Sequence, residues 1–168
     1  MSISMHQVAV PTLAKSLRAL SGVLAKGAAD AEARRIDPQV FLTARLAPDM
    51  FTLTRQVQIA TDMIKGGIGR LSGVDAPKYE DTEASVAELQ ARIEKTLAFI
   101  ESVPADAIDG TEEKPITITV AKQDMHFTGQ VYLLHWVLPN VFFHITTAYD
   151  ILRHNGVAVG KRDYLGGV

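Results

Sequence analysis

Residues 127–156, FTGQVYLLHWVLPNVFFHITTAYDILRHNG, constrain this chain more than any other stretch. Read at helical spacing, Leu133, Val137, Asn140, His144, Ala148 and Ile151 form one stripe. Leu134, Leu138, Val141, Phe142, Ile145, Tyr149 and Leu152 form a second. A helix apolar around so much of its girth has to be covered on several sides, as the central member of a bundle is. This helix is therefore expected to make more inter-helix contacts than any other. On the same reading, trimming Leu134 or Phe142 to alanine empties a core position at a cost of about 2–5 kcal/mol. Thr128 stands where an N-cap is needed, and Gly156 where a C′ residue of positive φ can close the helix. Pro139 cannot donate to the carbonyl of His135, so a local bend is expected there.

The rest of the chain supplies partners for that helix. Val10, Leu13, Leu17, Leu20 and Leu24 predict a first helix over residues 3–26, with a start or a kink at Pro11 and a connection after Gly27. Asp37-Pro38 opens a short helix. Leu53, Val57, Ala60, Ile64, Ile68 and Leu71 stripe a second long helix over 51–71. Gly66, Gly67 and Gly69 lie inside it, and imply either close packing against a neighbour or an early end. Val86, Leu89, Ile93, Leu97 and Ile100 stripe a third over 82–103, with Ser85 and Glu88 at capping-box spacing and Asp81 or Thr82 as equally good caps. Ile116, Ile118 and Val120 then alternate with threonines, which predicts a strand pairing with residues 125–127 in a small hairpin. Two short strands are marginal alone and must lean on the helices. The closing VAVGKRDYLGGV has too few apolar residues to predict a further element.

Composition narrows the classes of function. With 47% hydrophobic residues, 21% charged and a formal charge of −2, the 168 residues read as one globular domain, 1–168, with its own core. No Lys/Arg cluster offers an electrostatic footprint for nucleic acid. The absence of cysteine removes disulfides, thiolate catalysis and cysteine-held zinc. MSISMHQVAVPTLAKS lacks the basic start and unbroken apolar run of a signal peptide. The apolar run 131–145 is short of a bilayer span and is broken by His135, Pro139, Asn140 and His144. The expectation is a cytoplasmic protein with no membrane partner.

Chemistry concentrates at two i, i+4 pairs. Asn140 and His144 lie one turn apart on an interior face, where polar groups are costly unless partnered. Gln58 and Asp62 repeat the spacing on the second long helix, with Gln56 beside them. Each pair also has a plainer reading, a hydrogen-bonded core histidine in one case and a solvated face in the other. His6, His126 and His154 read as exposed or capping. There is no phosphate loop, nucleophile elbow or HExxH motif.

Three phrases carry a resemblance: SISMHQVAVPTL, LAPDMFTLTRQVQIATD, and FTGQVYLLHWVLPNVFFHITTAYDILRHNGV with its closing GKRDYLG. With the order of elements, they resemble the DinB-like superfamily, and more narrowly a branch described only as a domain of unknown function. The resemblance implies an all-α fold, an up-down-up-down four-helix bundle with a small β-hairpin before the last long helix. It also implies a divalent metal, zinc or nickel, held by one histidine of helix two and an HxxxH pair of helix four. Here His144 matches the second histidine of that pair, Asn140 replaces the first, and helix two offers Gln56, Gln58 or Asp62. The expectation is a small-molecule pocket around His144, lined by Gln58, Asp62 and Asn140, with a degenerate metal site. The alternatives are a metal-dependent transferase or isomerase using Asp62, His144 and His126, and a non-catalytic structural homodimer. Phe142, Phe143, Tyr149 and Trp136, with the dimeric habit of relatives, point to a homodimer.

Overall fold

The computed structural model describes residues 3–167. Its first helix, α1 (Met5–Arg34), is longer than the periodicity predicts. Ser4 and Gln7 close a capping box at its start, through bonds of 3.3 and 3.2 Å. Pro11 is passed without a stop because it lies on the exposed side, where the carbonyl it leaves unbonded can be hydrated. Gly27 continues the helix because Leu152 lies where its side chain would be: a Cβ there would come within 2.9 Å of the leucine. By length and apolar composition α1 could cross a bilayer. In this fold its Leu13, Leu17, Leu20 and Leu24 are buried in the core.

A short α2 (Gln39–Leu42) follows Pro38 and leads into α3 (Leu53–Ser72). Thr52 caps α3, and Gly73 ends it at φ 83°. The glycines of α3 mark close packing, not an early end: a Cβ on Gly67 would stand 2.9 Å from Val137. An irregular strap, residues 73–85, then crosses to α4 (Val86–Ser102). Ser85 caps α4 through the Glu88 amide at 3.2 Å, and the Glu88 carboxylate accepts from Ala84 N–H at 2.6 Å.

Strands β1 (Pro115–Val120) and β2 (Gln123–Thr128) form the expected antiparallel hairpin, with Ile118 opposite Met125. Its turn, Ala121-Lys122, has positive φ at both residues. Ile116 and Ile118 are buried, and Phe127 packs its ring 5.7 Å from Tyr132 and 5.8 Å from Trp136. This is how so small a sheet is supported.

The final long segment is not one uniform helix. α5 (Gly129–Tyr132) passes through a π-helical turn, Leu133–Val137, into α6 (Leu138–His154). Pro139 lies at the start of α6, so the widened turn absorbs its missing donor and is the predicted bend. Gly156 follows at φ 90°. The first stripe is buried at Leu133, Val137, His144, Ala148 and Ile151. The second is only half buried: Val141, Ile145 and Leu152 face the core, whereas Leu134 and Phe142 are each 38% exposed. Neither is a core position, and the cavity cost expected for their truncation does not apply.

α1 packs on α4 and α6, and α3 packs on α4 and α6. α3 also touches α1, α2 and the π turn, so the hub of the molecule is α3 and not the last helix. The chain ends with an element the composition did not predict. Val157 and Val159 are buried, and α7 (Lys161–Tyr164) packs on α1. Tyr164 meets Tyr149 edge-on at 6.1 Å, and Lys26 pairs with Asp163 at 2.7 Å.

Candidate functional site

Of the four residues singled out in the sequence, His144 joins one network anchored on α3, Gln58 and Asp62 join another, and Asn140 joins neither. Gln56 opens the first. Its Nε2 donates to the Phe51 carbonyl at 3.2 Å, which turns Oε1 toward Nδ1 of His144 at 2.7 Å. An amide oxygen only accepts, so the proton resides on Nδ1 and the lone pair on Nε2. Gln56 is buried and His144 is 9% exposed. Nε2 has no hydrogen-bond partner among the described residues. Among the described residues the one fully buried side-chain atom left without a partner is Tyr79 Oη, so Nε2 is not sealed from solvent. Phe143 stands edge-on against the imidazole at 5.2 Å. Burial, and then the nearby positive charge of Arg55, push the His144 pKa below its ordinary 6.5. The result is a neutral imidazole of fixed tautomer with one basic nitrogen facing outward. Asn140 does not join it by a hydrogen bond. Its Nδ2 donates to the Trp136 carbonyl at 2.7 Å, one turn back across the π segment.

Gln58 and Asp62 belong to the second network, built around Arg92 of α4. Arg92 is 2% exposed. Its guanidinium donates to Thr61 Oγ1 at 2.7 Å, Asp62 at 2.8 Å, Glu83 at 3.0 Å and the Glu80 carbonyl at 3.2 Å, and pairs with Asp81 at 3.0 Å. The guanidinium carbon lies over the Tyr79 ring, 5.1 Å from its centroid, with Lys65 Nζ 4.9 Å from the same centroid. Gln58 accepts from Arg55 at 3.3 Å and donates to Glu83 at 2.9 Å, and Arg55 also pairs with Asp81. Burial alone would raise the Glu83 pKa, but hydrogen bonds from Gln58 and Arg92 outweigh it and hold the carboxyl below its ordinary 4.5. Burial alone would likewise lower Arg92, and its acidic partners, Glu83 first, raise it instead. Every charge here has a partner, and the strap carrying Tyr79, Glu80, Asp81 and Glu83 is tied through Arg92 to α3.

The sequence reading missed Arg92, Tyr79, Asp81 and Glu83, and noticed Gln56 only as a neighbour. One signal was present. Arg92 follows Leu89 by three residues and precedes Ile93, so a cation stands inside the apolar stripe of α4. A charge at such a position requires buried partners. His126 lies on the exposed hairpin, where Nδ1 meets Thr117 Oγ1 at 3.0 Å. His6 and His154 are at helix ends, as expected, and His135 is exposed.

The donors around His144 do not fit the divalent metal that the resemblance implies. Nδ1 is engaged by Gln56, the Asn140 amide is turned to its own helix, and Asp62 is held by Arg92 and Lys65. That leaves a single imidazole nitrogen, where zinc or nickel needs three or more protein donors in a tight site. Among the described residues no group of three or more His, Asp or Glu side chains converges as a metal site.

No curated protein matches the chain. A solved structure does: the crystal structure of a DinB family member protein from Shewanella denitrificans is 42% identical, with a TM-score of 0.89. The match covers 97% of this chain and 92% of that one. A family model described as domain of unknown function, DUF1993, matches residues 5–165. By both comparisons the chain belongs to the DUF1993 family of DinB-like proteins.

Proposed function

We propose that this protein is a small-molecule-binding, up-down-up-down four-helix bundle of the cytoplasm, in which a degenerate metal site has become a hydrogen-bonding site centred on His144. The observation that carries the reading is the 2.7 Å bond from His144 Nδ1 to a Gln56 carbonyl oxygen whose orientation is set by Phe51. Such a bond fixes the tautomer, as a hydrogen bond to the far nitrogen of a ligating histidine does in a working site. It leaves Nε2 as an acceptor for a ligand hydroxyl or N–H, beside the edge of Phe143. Gln56, then, occupies the helix-two role that the resemblance gives to a histidine. Gln58 and Asp62 act at one remove, holding the Arg92 network behind α3.

A fragment screen by thermal shift tests this directly. Phenols and secondary amides are expected to raise the melting temperature of the wild type and to lose that effect in His144→Phe. Zinc or nickel is expected to leave the wild-type melting temperature unchanged. Stoichiometric zinc or nickel in freshly purified protein, lost on His144→Ala, would overturn the degenerate-site reading and restore metal-dependent catalysis.

A second reading, self-association, is favoured by the apolar surface that α6 and the π turn leave uncovered: Phe143 is 56% exposed and Leu134 is 38% exposed. Trp136 and Tyr149 contribute less than the sequence suggests, because Phe127 and Tyr164 partly cover them. Light scattering at micromolar concentration is expected to return a dimer mass that Phe143→Asp halves. A monomer in the wild type rejects it.

A further inference from the structure

A groove lies between α1, α6 and the terminal α7, away from both networks on α3. Thr12, Lys15 and Ser16 line one side, and Phe142, Tyr164 and Leu165 the other, around a volume of about 420 Å³. That falls within the range of small-molecule sites, roughly 300–1,000 Å³. Its walls are mostly apolar, and the reason is visible in the hydrogen bonds. Ser16 donates back to the Thr12 carbonyl at 2.9 Å, and the Tyr164 hydroxyl accepts from Thr146 at 3.1 Å. The Ser16 and Tyr164 hydroxyls are thus engaged by groups of the fold itself. Phe142 and Leu165, 38% and 42% exposed, are left as its uncovered apolar surface.

The charge pattern along α1 completes the picture. Lys15 stands on the wall of this groove and also of an adjoining cleft, which Arg18, Lys26 and Asp163 share. Arg18 pairs with Glu101, and Lys26 with Asp163. Lys15 has no ion-pair partner among the described residues. An ammonium on the wall of an apolar groove, with no ion-pair partner among the described residues, complements a ligand with an apolar body and a single negative head.

We infer that this groove binds small amphipathic monoanions such as aromatic carboxylates, with Lys15 as counter-ion and Phe142 and Leu165 as the apolar floor. The site is independent of His144, and its test separates the two. The full chain is titrated calorimetrically with 2-naphthoate and with the neutral 2-naphthylmethanol. The wild type is expected to bind naphthoate saturably at one site, about three- to fivefold more tightly than the alcohol, as a partly exposed ion pair contributes. Lys15→Met, which keeps the stem and removes the charge, is expected to erase that preference while still binding the alcohol. Phe142→Ser weakens both ligands, Lys26→Met preserves the preference, and His144→Phe changes neither affinity. The inference is overturned if naphthoate shows no saturable binding, or if Lys15→Met keeps the preference. It is equally overturned if the binding follows His144.

Discussion

Gln56 and Gln58 are two residues apart on α3, yet they serve networks of opposite character. Gln58 helps to hold Glu83 within a set of charges centred on Arg92. Gln56 makes one neutral bond to His144. In the first network three cations, Arg55, Lys65 and Arg92, face three carboxylates, Asp62, Asp81 and Glu83. These charges are all paired, although the buried Tyr79 hydroxyl among them has no partner, and the physical product is a strap tied down between α3 and α4. In the second, satisfaction is deliberately incomplete: one imidazole nitrogen is bonded and the other is open. Burial of polar groups therefore does not by itself indicate a site. What distinguishes a site from a staple is a directional group that the protein orients and then leaves unpaired.

The sharpest way to break this contrast is to remove Arg92. Arg92→Met is expected to cost about 3 kcal/mol in denaturant unfolding, toward the low end for breaking a buried ion pair, because Asp62 and Asp81 can rehydrate while Glu83 cannot. A cost below about 1 kcal/mol would show that the strap is not held there. Gln56→Leu should be milder, about 1–2 kcal/mol, as it leaves the buried Nδ1–H of His144 without an acceptor. The tautomer preference read by long-range ¹H–¹⁵N correlation should be lost with it. Unchanged imidazole shifts would mean that Gln56 does not set the tautomer.

The two networks should also separate on the pH axis. The folded pKa of His144 lies below its ordinary 6.5, so below that pH the unfolded state binds the extra proton more readily than the folded state. Stability then falls as the pH drops from about 6.5 toward the folded value, and levels off beneath it. His144→Gln should flatten that limb. The folded pKa of Glu83 lies below its ordinary 4.5, so its contribution is complete above 4.5 and is lost as the pH falls through the folded value. Glu83→Gln should remove this lower step and leave the upper one. A single transition altered by both variants would show that the two networks titrate as one, and one insensitive to either would show that neither group sets it. The smallest effect belongs to Asn140→Ala, within about 1 kcal/mol, because its side chain bonds, among the described residues, to a carbonyl of its own segment. A larger loss would bring Asn140 back to His144.

Much of the architecture was legible because it is written in local periodicity. The stripes of α3 and α4, the Ser85 cap, the alternation of Ile116 and Ile118, and the closing Gly156 each follow from the preferences of a few adjacent residues. Individual polar residues were legible only as candidates. Asn140 and His144 share the helical spacing that should aim them at one place, but the π turn supplies a carbonyl, that of Trp136, which takes the Asn140 amide. Gln58 and Asp62 were equally well spaced, but Gln58 found Glu83 on the strap and Asp62 found Arg92 of α4, thirty residues beyond it.

The sequence by itself determined the helices, the hairpin and the presence of a buried histidine, because apolar spacing, caps and turns act between near neighbours. Only the tertiary structure decided that α3 is the hub, that Leu134 and Phe142 face outward, that the closing segment folds back as α7, and that Arg92 and not His144 holds Asp62. Each of these depends on which helix a given face meets. That choice is made by shape at Gly67 against Val137 and by charge at Arg92, between residues far apart in the chain.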